Sequence, residues 1–158
     1  MKKDKTNAVR IMDRLNIAYT LHSYPCPKAV SAEEIARRLG TDRERVFKTL
    51  VTEGRSGAHY VFMIPAGHSL DLRKAAAATG EKSISMIRER ELLPLTGYVH
   101  GGCSPVGMKK QFPTYIHRTA EDCGLIIFSG GRIGLQTECS LEELRKAQPV
   151  TSADITAD

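Results

Sequence analysis

Ala8, Ile11, Met12 and Leu15 recur at i, i+3, i+4 and i+7, one apolar helical face, with Thr6 or Asn7 standing where a cap belongs. After Asn16 the spacing changes to the alternation of IAYTLHSY, a strand that Pro25 and Pro27 end. Ser31 and Glu34 have the capping-box separation ahead of Ile35 and Leu39, and Gly40 closes that short helix. VFKTLVTE and HYVFMIPAG read as two strands of a hairpin, turned between Gly54 and Gly57. Asp71 opens a helix that Gly80 ends, and SISMIRERELLP combines a short strand with a charged helix. YVHGG, PTYIHR, GLIIFSGG and RIGLQTEC follow as further strands; Ser140 with Glu143 then starts a last helix, ended by Pro149.

Strands outnumber helices and several lie consecutively, joined by glycine turns. This predicts an α/β protein of the α+β type: a mixed, mostly antiparallel, barrel-like sheet surrounded by helices. Strand and helix do not alternate as a parallel doubly wound sheet would require. Residues 1–150 are expected to form a single domain and 151–158 a frayed tail.

At 158 residues, 41% apolar and 26% charged, the chain has the composition of a globular protein. The N-terminus starts basic but continues amphipathic, which fits neither a signal peptide nor a membrane span. Cys26, Cys103, Cys123 and Cys139 are scattered, with no C-x-x-C pair, so reduced thiols in a cytoplasmic protein are expected, without metal or cofactor. A net charge of +5 tilts the choice of partner toward polyanions. No helical face demands a partner chain, so a monomer or weak dimer is expected.

GGCSPVGMKK, Gly101 to Lys110, superficially resembles a phosphate-binding loop, yet Met108 and Lys109 stand where Lys and Ser or Thr should be, and Pro113 interrupts the helix that should follow. Nucleotide hydrolysis is excluded on that chemistry. The glycines either shape a tight turn or expose main-chain N–H groups to an anion or oxyanion. SGGRIG, with Ser129, Gly130, Gly131 and Arg132, repeats the pattern at another strand end. In VFKTLV, Lys48 lies among apolar neighbours, either snorkelling from an edge or facing a cavity.

Together and in this order, VFKTLV, YVHGGCSPVGMKK and FSGGRIGLQ resemble the YbaK/EbsC family of aminoacyl-tRNA deacylases, a likeness that runs through essentially the whole chain. The resemblance implies a pocket with Lys48 as its essential lysine, Thr49 beside it, and Gly101 and Gly102 at the aminoacyl ester. Ser129 and Gly130 would form the opposite wall, and Tyr19 the nearby aromatic. Lys-Thr resembles the branch that clears cysteine from tRNA(Pro), whereas the alanine-editing branch tends to have asparagine there. PCPKAVS lacks an aromatic that some members carry, and Gln136 replaces an aspartate; both departures bear on amino-acid specificity. Ala-tRNA(Pro) or broader deacylation, or an inactive tRNA-binding module, are the alternatives.

No nucleophile elbow or Ser-His-Asp order is present, and the five histidines are dispersed. Catalysis is therefore expected from Lys48 and the N–H groups of Gly101 and Gly102, which would hold the ester and its developing oxyanion. In the route proposed for the family, the substrate's own thiol expels the tRNA. Cys103 has no visible activating partner. Lys109, Lys110 and Arg132 are expected on the acceptor end of tRNA(Pro), and prolyl-tRNA synthetase is a further candidate partner.

Overall fold

The computed structural model describes residues 5–157. The basic start, Met1 to Asp4, and Asp158 of the expected tail lie outside the described residues. The hydrophobic spacing yields helices α1 (Asn7–Arg14), α2 (Ala32–Leu39), α3 (Leu72–Thr79), α4 (Glu89–Thr96) and α5 (Leu141–Ala147). Four begin on the side chains that sequence chemistry favours. Thr6 accepts from Val9 N–H, Ser31 from Glu34 N–H, Asp71 from the N–H groups of Arg73 and Lys74, and Ser140 from Glu143 N–H.

Among the described residues eight strands form two sheets: β1 (Thr20–Ser23), β2 (Phe47–Gly54), β3 (His59–Pro65), β4 (Ile84–Met86), β5 (Thr114–His117), β6 (Ile126–Ser129), β7 (Leu135–Cys139) and β8 (Thr151–Ala153). The smaller has the order β1-β7-β6, the larger β4-β2-β3-β5-β8. Pairing is antiparallel except for β3–β5 and β5–β8, so the mixed, mostly antiparallel sheet with surrounding helices is present. A bridge from Val46 to Ile127 joins the two sheets at the start of β2. The main core gathers Met12, Phe47, Val51, Met63, Phe128 and Leu144; a second cluster, with Phe62, Ile64 and Ala75, lies against α3. Among the described residues no helix is long and apolar enough to cross a membrane.

Two expectations are corrected. YVHGG forms no strand: residues 97–112 run without helix or ladder, because Tyr98 N–H bonds Thr96 Oγ1 and Gly102 N–H turns back to Val99 O. Nor are residues 151–157 frayed. β8 pairs in parallel with β5, Ile155 and Thr156 are fully buried, and Asp71 N–H bonds Ile155 O at 2.8 Å. The tail is held by long-range bonds that no local pattern announces.

Candidate active site

β3 covers β2 from Phe47 to Glu53, whereas β4 runs beside Thr52–Gly54 only. β6 reaches the other end of β2 through the Val46–Ile127 bridge. Between these two neighbours a cavity of about 530 Å³ opens along residues 46–51. Lys48, Thr49, Gly101, Cys103, Ser129 and Gln136 all line it. Three segments far apart in sequence thus meet, with Lys48 among the residues of the lining.

Alternation along β2 separates its two key side chains. Phe47, Thr49 and Val51 share one face, and Lys48 and Leu50 the other. Lys48 is half-buried, with no hydrogen-bond or ion-pair partner among the described residues. Thr49 Oγ1 is buried without a partner among them. A hydroxyl in that state costs stability, and this one belongs to a residue of the cavity lining.

Cys103 lines the cavity at 7% exposure. Burial pushes its thiol up to about 12, only partly offset by a hydrogen bond with Thr96, so the sulfur stays protonated at neutral pH and is a poor nucleophile. The N–H groups of Gly101 and Cys103 meet no acceptor among the described residues. Gly102 departs from expectation: its N–H bonds Val99 O at 3.0 Å, and the residue is buried outside the cavity lining. Its small size serves a close approach, since a β-carbon there would sit 2.8 Å from Arg132 Cα. The two glycine-bearing loops therefore touch at Gly102, and Gly101 and its second neighbour, Cys103, are lining residues whose N–H groups are not taken up by the described residues.

Ser129 Oγ accepts from Gly131 N–H at 3.1 Å, while Gly130 is buried outside the lining with its N–H on Leu135 O. Tyr19 is not brought to the cavity. Its hydroxyl donates to Asp13 Oδ1 at 2.6 Å, and burial together with that bond raises its pKa to about 12. The aromatic behind the wall is Tyr24, whose hydroxyl accepts from Gln136 Nε2 at 3.4 Å. The alternation T-L-H-S-Y already put Tyr24 on the face of His22, which pairs with Gln136, and Tyr19 on the opposite one. Lys109 and Lys110 are exposed, and Lys109 reaches Pro94 O; Arg132 is half-buried, and none of the three lines the cavity. Sequence reading missed Ala29, Ile35, Met86, Arg88, Leu92 and His100 in the lining. Arg88, Glu89 and His100 carried a chemical signal; of these only His100 stands in one of the three motifs, directly before Gly101.

A cavity with an unpaired lysine, open main-chain donors and a protonated thiol suits the polarising of a carbonyl more than covalent attack. The comparisons agree with that chemistry. The sequence matches the aminoacyl-tRNA editing domain over residues 26–147. EbsC of Enterococcus faecalis (strain ATCC 700802 / V583), named as a candidate Cys-tRNA(Pro)/Cys-tRNA(Cys) deacylase, is 40% identical over 155 residues, 98% of this chain and 94% of its own. The proline–tRNA ligase of Thermosipho melanesiensis is 30% identical over 82 residues, 52% of this chain and 14% of the ligase. A solved structure described as a candidate trans-editing enzyme for prolyl tRNA synthetase shares the fold: TM-score 0.84, 24% identity, 99% of this chain and 100% of that one. The editing-domain match and the likeness to EbsC thus define an aminoacyl-tRNA hydrolase. The chain belongs to the aminoacyl-tRNA editing domain family.

Proposed function

We propose that this chain clears cysteine misattached to tRNA(Pro), acting in trans on the charged tRNA and so protecting the fidelity of proline codons. The observation that carries the reading is the meeting of Lys48, Thr49, Gly101, Cys103, Ser129 and Gln136 around one cavity. An aminoacyl ester seated there has its carbonyl between the Lys48 ammonium and the N–H groups of Gly101 and Cys103, where negative charge develops during attack. The Thr49 hydroxyl bonds the amino-acid portion, and Ser129 and Gln136 close the far wall.

The attacking atom belongs to the substrate. Its thiol sulfur bonds to the carbonyl carbon, the ester C–O bond breaks, and the ribose oxygen leaves with the thiol proton. Water then opens the thiolactone to free cysteine. This route asks the protein for positioning and charge, not for a nucleophile. Cysteine is favoured over alanine by the likeness to EbsC and by Thr49 following Lys48. Prolyl-tRNA synthetase is a fitting donor of the mischarged tRNA, and the cytoplasm the fitting compartment.

The test is amino-acid release from Cys-tRNA(Pro) and Ala-tRNA(Pro), measured side by side. Faster cysteine release is expected, with Lys48→Ala folded but slowed about 100-fold or more, the usual cost of losing an oxyanion donor. Equal release of both amino acids would defeat the cysteine specificity, and unchanged turnover by Lys48→Ala would remove the lysine from the mechanism.

A further inference from the structure

The first turn of α1 is fastened to both glycine-bearing loops, although α1 contributes nothing to the cavity lining. Thr6 Oγ1 accepts Val9 N–H at 3.1 Å as the helix cap and donates to Gly130 O at 2.5 Å. Next to it, Asn7 Nδ2 donates to Gly107 O at 2.6 Å. Tyr98 fills the space between, its hydroxyl donating to Val106 O at 2.7 Å. Gly131 is pressed against the same group: a β-carbon there would lie 2.9 Å from Thr6 Cβ and 3.1 Å from Tyr98 Cε1. One of these loops brings Gly101 and Cys103 to the cavity, and the other follows directly on Ser129.

We infer that Thr6 is a positioning residue for the cavity. The bond it accepts only caps α1. The bond it donates fixes the Gly130 carbonyl, and through that peptide the Ser129 wall, against a helix that Asn7 also ties to the opposite loop. The hydroxyl is well suited to this, because Val9 N–H orients its lone pair and leaves its hydrogen for Gly130. Residues 97–112 lie outside every ladder, so such ties, with the Gly102–Arg132 contact, set the spacing of the two walls. Displacing a reacting or positioning group by about 1 Å can cost about 100-fold in rate. The inference rests on the deacylase reading above, and Thr6 acts through the loop without touching substrate.

The two roles of the hydroxyl can be separated. Asparagine and aspartate are nearly isosteric and both cap helices well, but only asparagine can also donate. Thr6→Ser and Thr6→Asn should keep kcat within about twofold of the parent, whereas Thr6→Asp should lower kcat about tenfold with KM little changed. Amide hydrogen exchange supplies a readout without substrate. The Gly131 N–H should exchange faster in Thr6→Asp than in Thr6→Asn, while Val9 N–H stays equally protected in both. Equal kcat and equal Gly131 exchange in the Asp and Asn variants would overturn the inference. So would losses in both variants that merely track a fall in Tm, since that is the signature of the cap alone. If the unmodified protein releases no amino acid from any charged tRNA, the deacylase reading falls by itself. Gly131 exchange then decides the tie: faster in Thr6→Asp supports it, and no difference overturns it.

Discussion

Lys48 was visible in the sequence because an ammonium inside VFKTLV has no cheap place to go unless it meets water, a cavity or a partner. Its neighbour Thr49 was named only through the family resemblance; the physical signal, a buried hydroxyl with no partner among the described residues, exists only once β2 is packed. Cys103 illustrates the opposite case. Its place in a glycine-rich loop suggested reactivity, and burial removes it by pushing the thiol to about 12. At pH 8, four units lower, roughly one thiol in 10,000 is ionised. Iodoacetamide at that pH should therefore modify half-buried Cys26 well before Cys103, as peptide mass mapping would record, and Cys103→Ala should retain deacylation. Rapid native-state labelling of Cys103, or complete loss of turnover in that variant, would return the thiol to the mechanism.

Helices and the β2–β3 hairpin were legible because caps, apolar spacing and the Gly54–Gly57 turn are all local. Two elements were misjudged, one because its own turn takes up its backbone groups and one because its partners are distant in sequence. YVHGG has the composition of a strand, yet its backbone bonds within its own turn. The last residues look like a polar tail, yet β8 joins β5 in parallel and Lys74 bonds both Asp154 and Thr156 O. That tail carries measurable stability. Ile155→Ala removes a fully buried side chain beside α3 and should cost about 2–5 kcal/mol. In a chain of this size each kcal/mol lowers Tm by about 2–4 °C. A melting curve shifted by less than about 2 °C would mean that the end of the chain is not docked in solution.

Over the whole molecule the surplus of +5 and the exposed Lys109 and Lys110, next in sequence to the Gly101–Gly107 loop, favour a polyanion beside the cavity. If those two lysines each meet one phosphate, raising salt from about 50 to about 200 mM should weaken tRNA binding about tenfold. Lys109→Ala with Lys110→Ala should flatten that dependence while leaving release of bound cysteine nearly intact. An unchanged salt slope, measured by filter binding, would exclude them as phosphate contacts. The departures at Tyr19 and Gly102 also belong to this scale. Each lies within a few residues of the group found there instead: Tyr24, which bonds Gln136 of the lining, or Cys103, which lines the cavity.

From residue order alone came the caps, the strand and helix periodicities, the exclusion of a phosphate-binding loop and the singling out of Lys48, whose role as the essential lysine came from the family resemblance. All of these rest on interactions between near neighbours or on the cost of placing a charge among apolar groups. Packing decided which N–H groups remain open, which tyrosine stands behind Gln136, and that the chain's end is a strand. A hydrogen bond has one geometry and one partner, and for these groups the competing partners lie tens of residues away. Their choice is made only when β2, the two glycine-bearing loops and α1 are brought together.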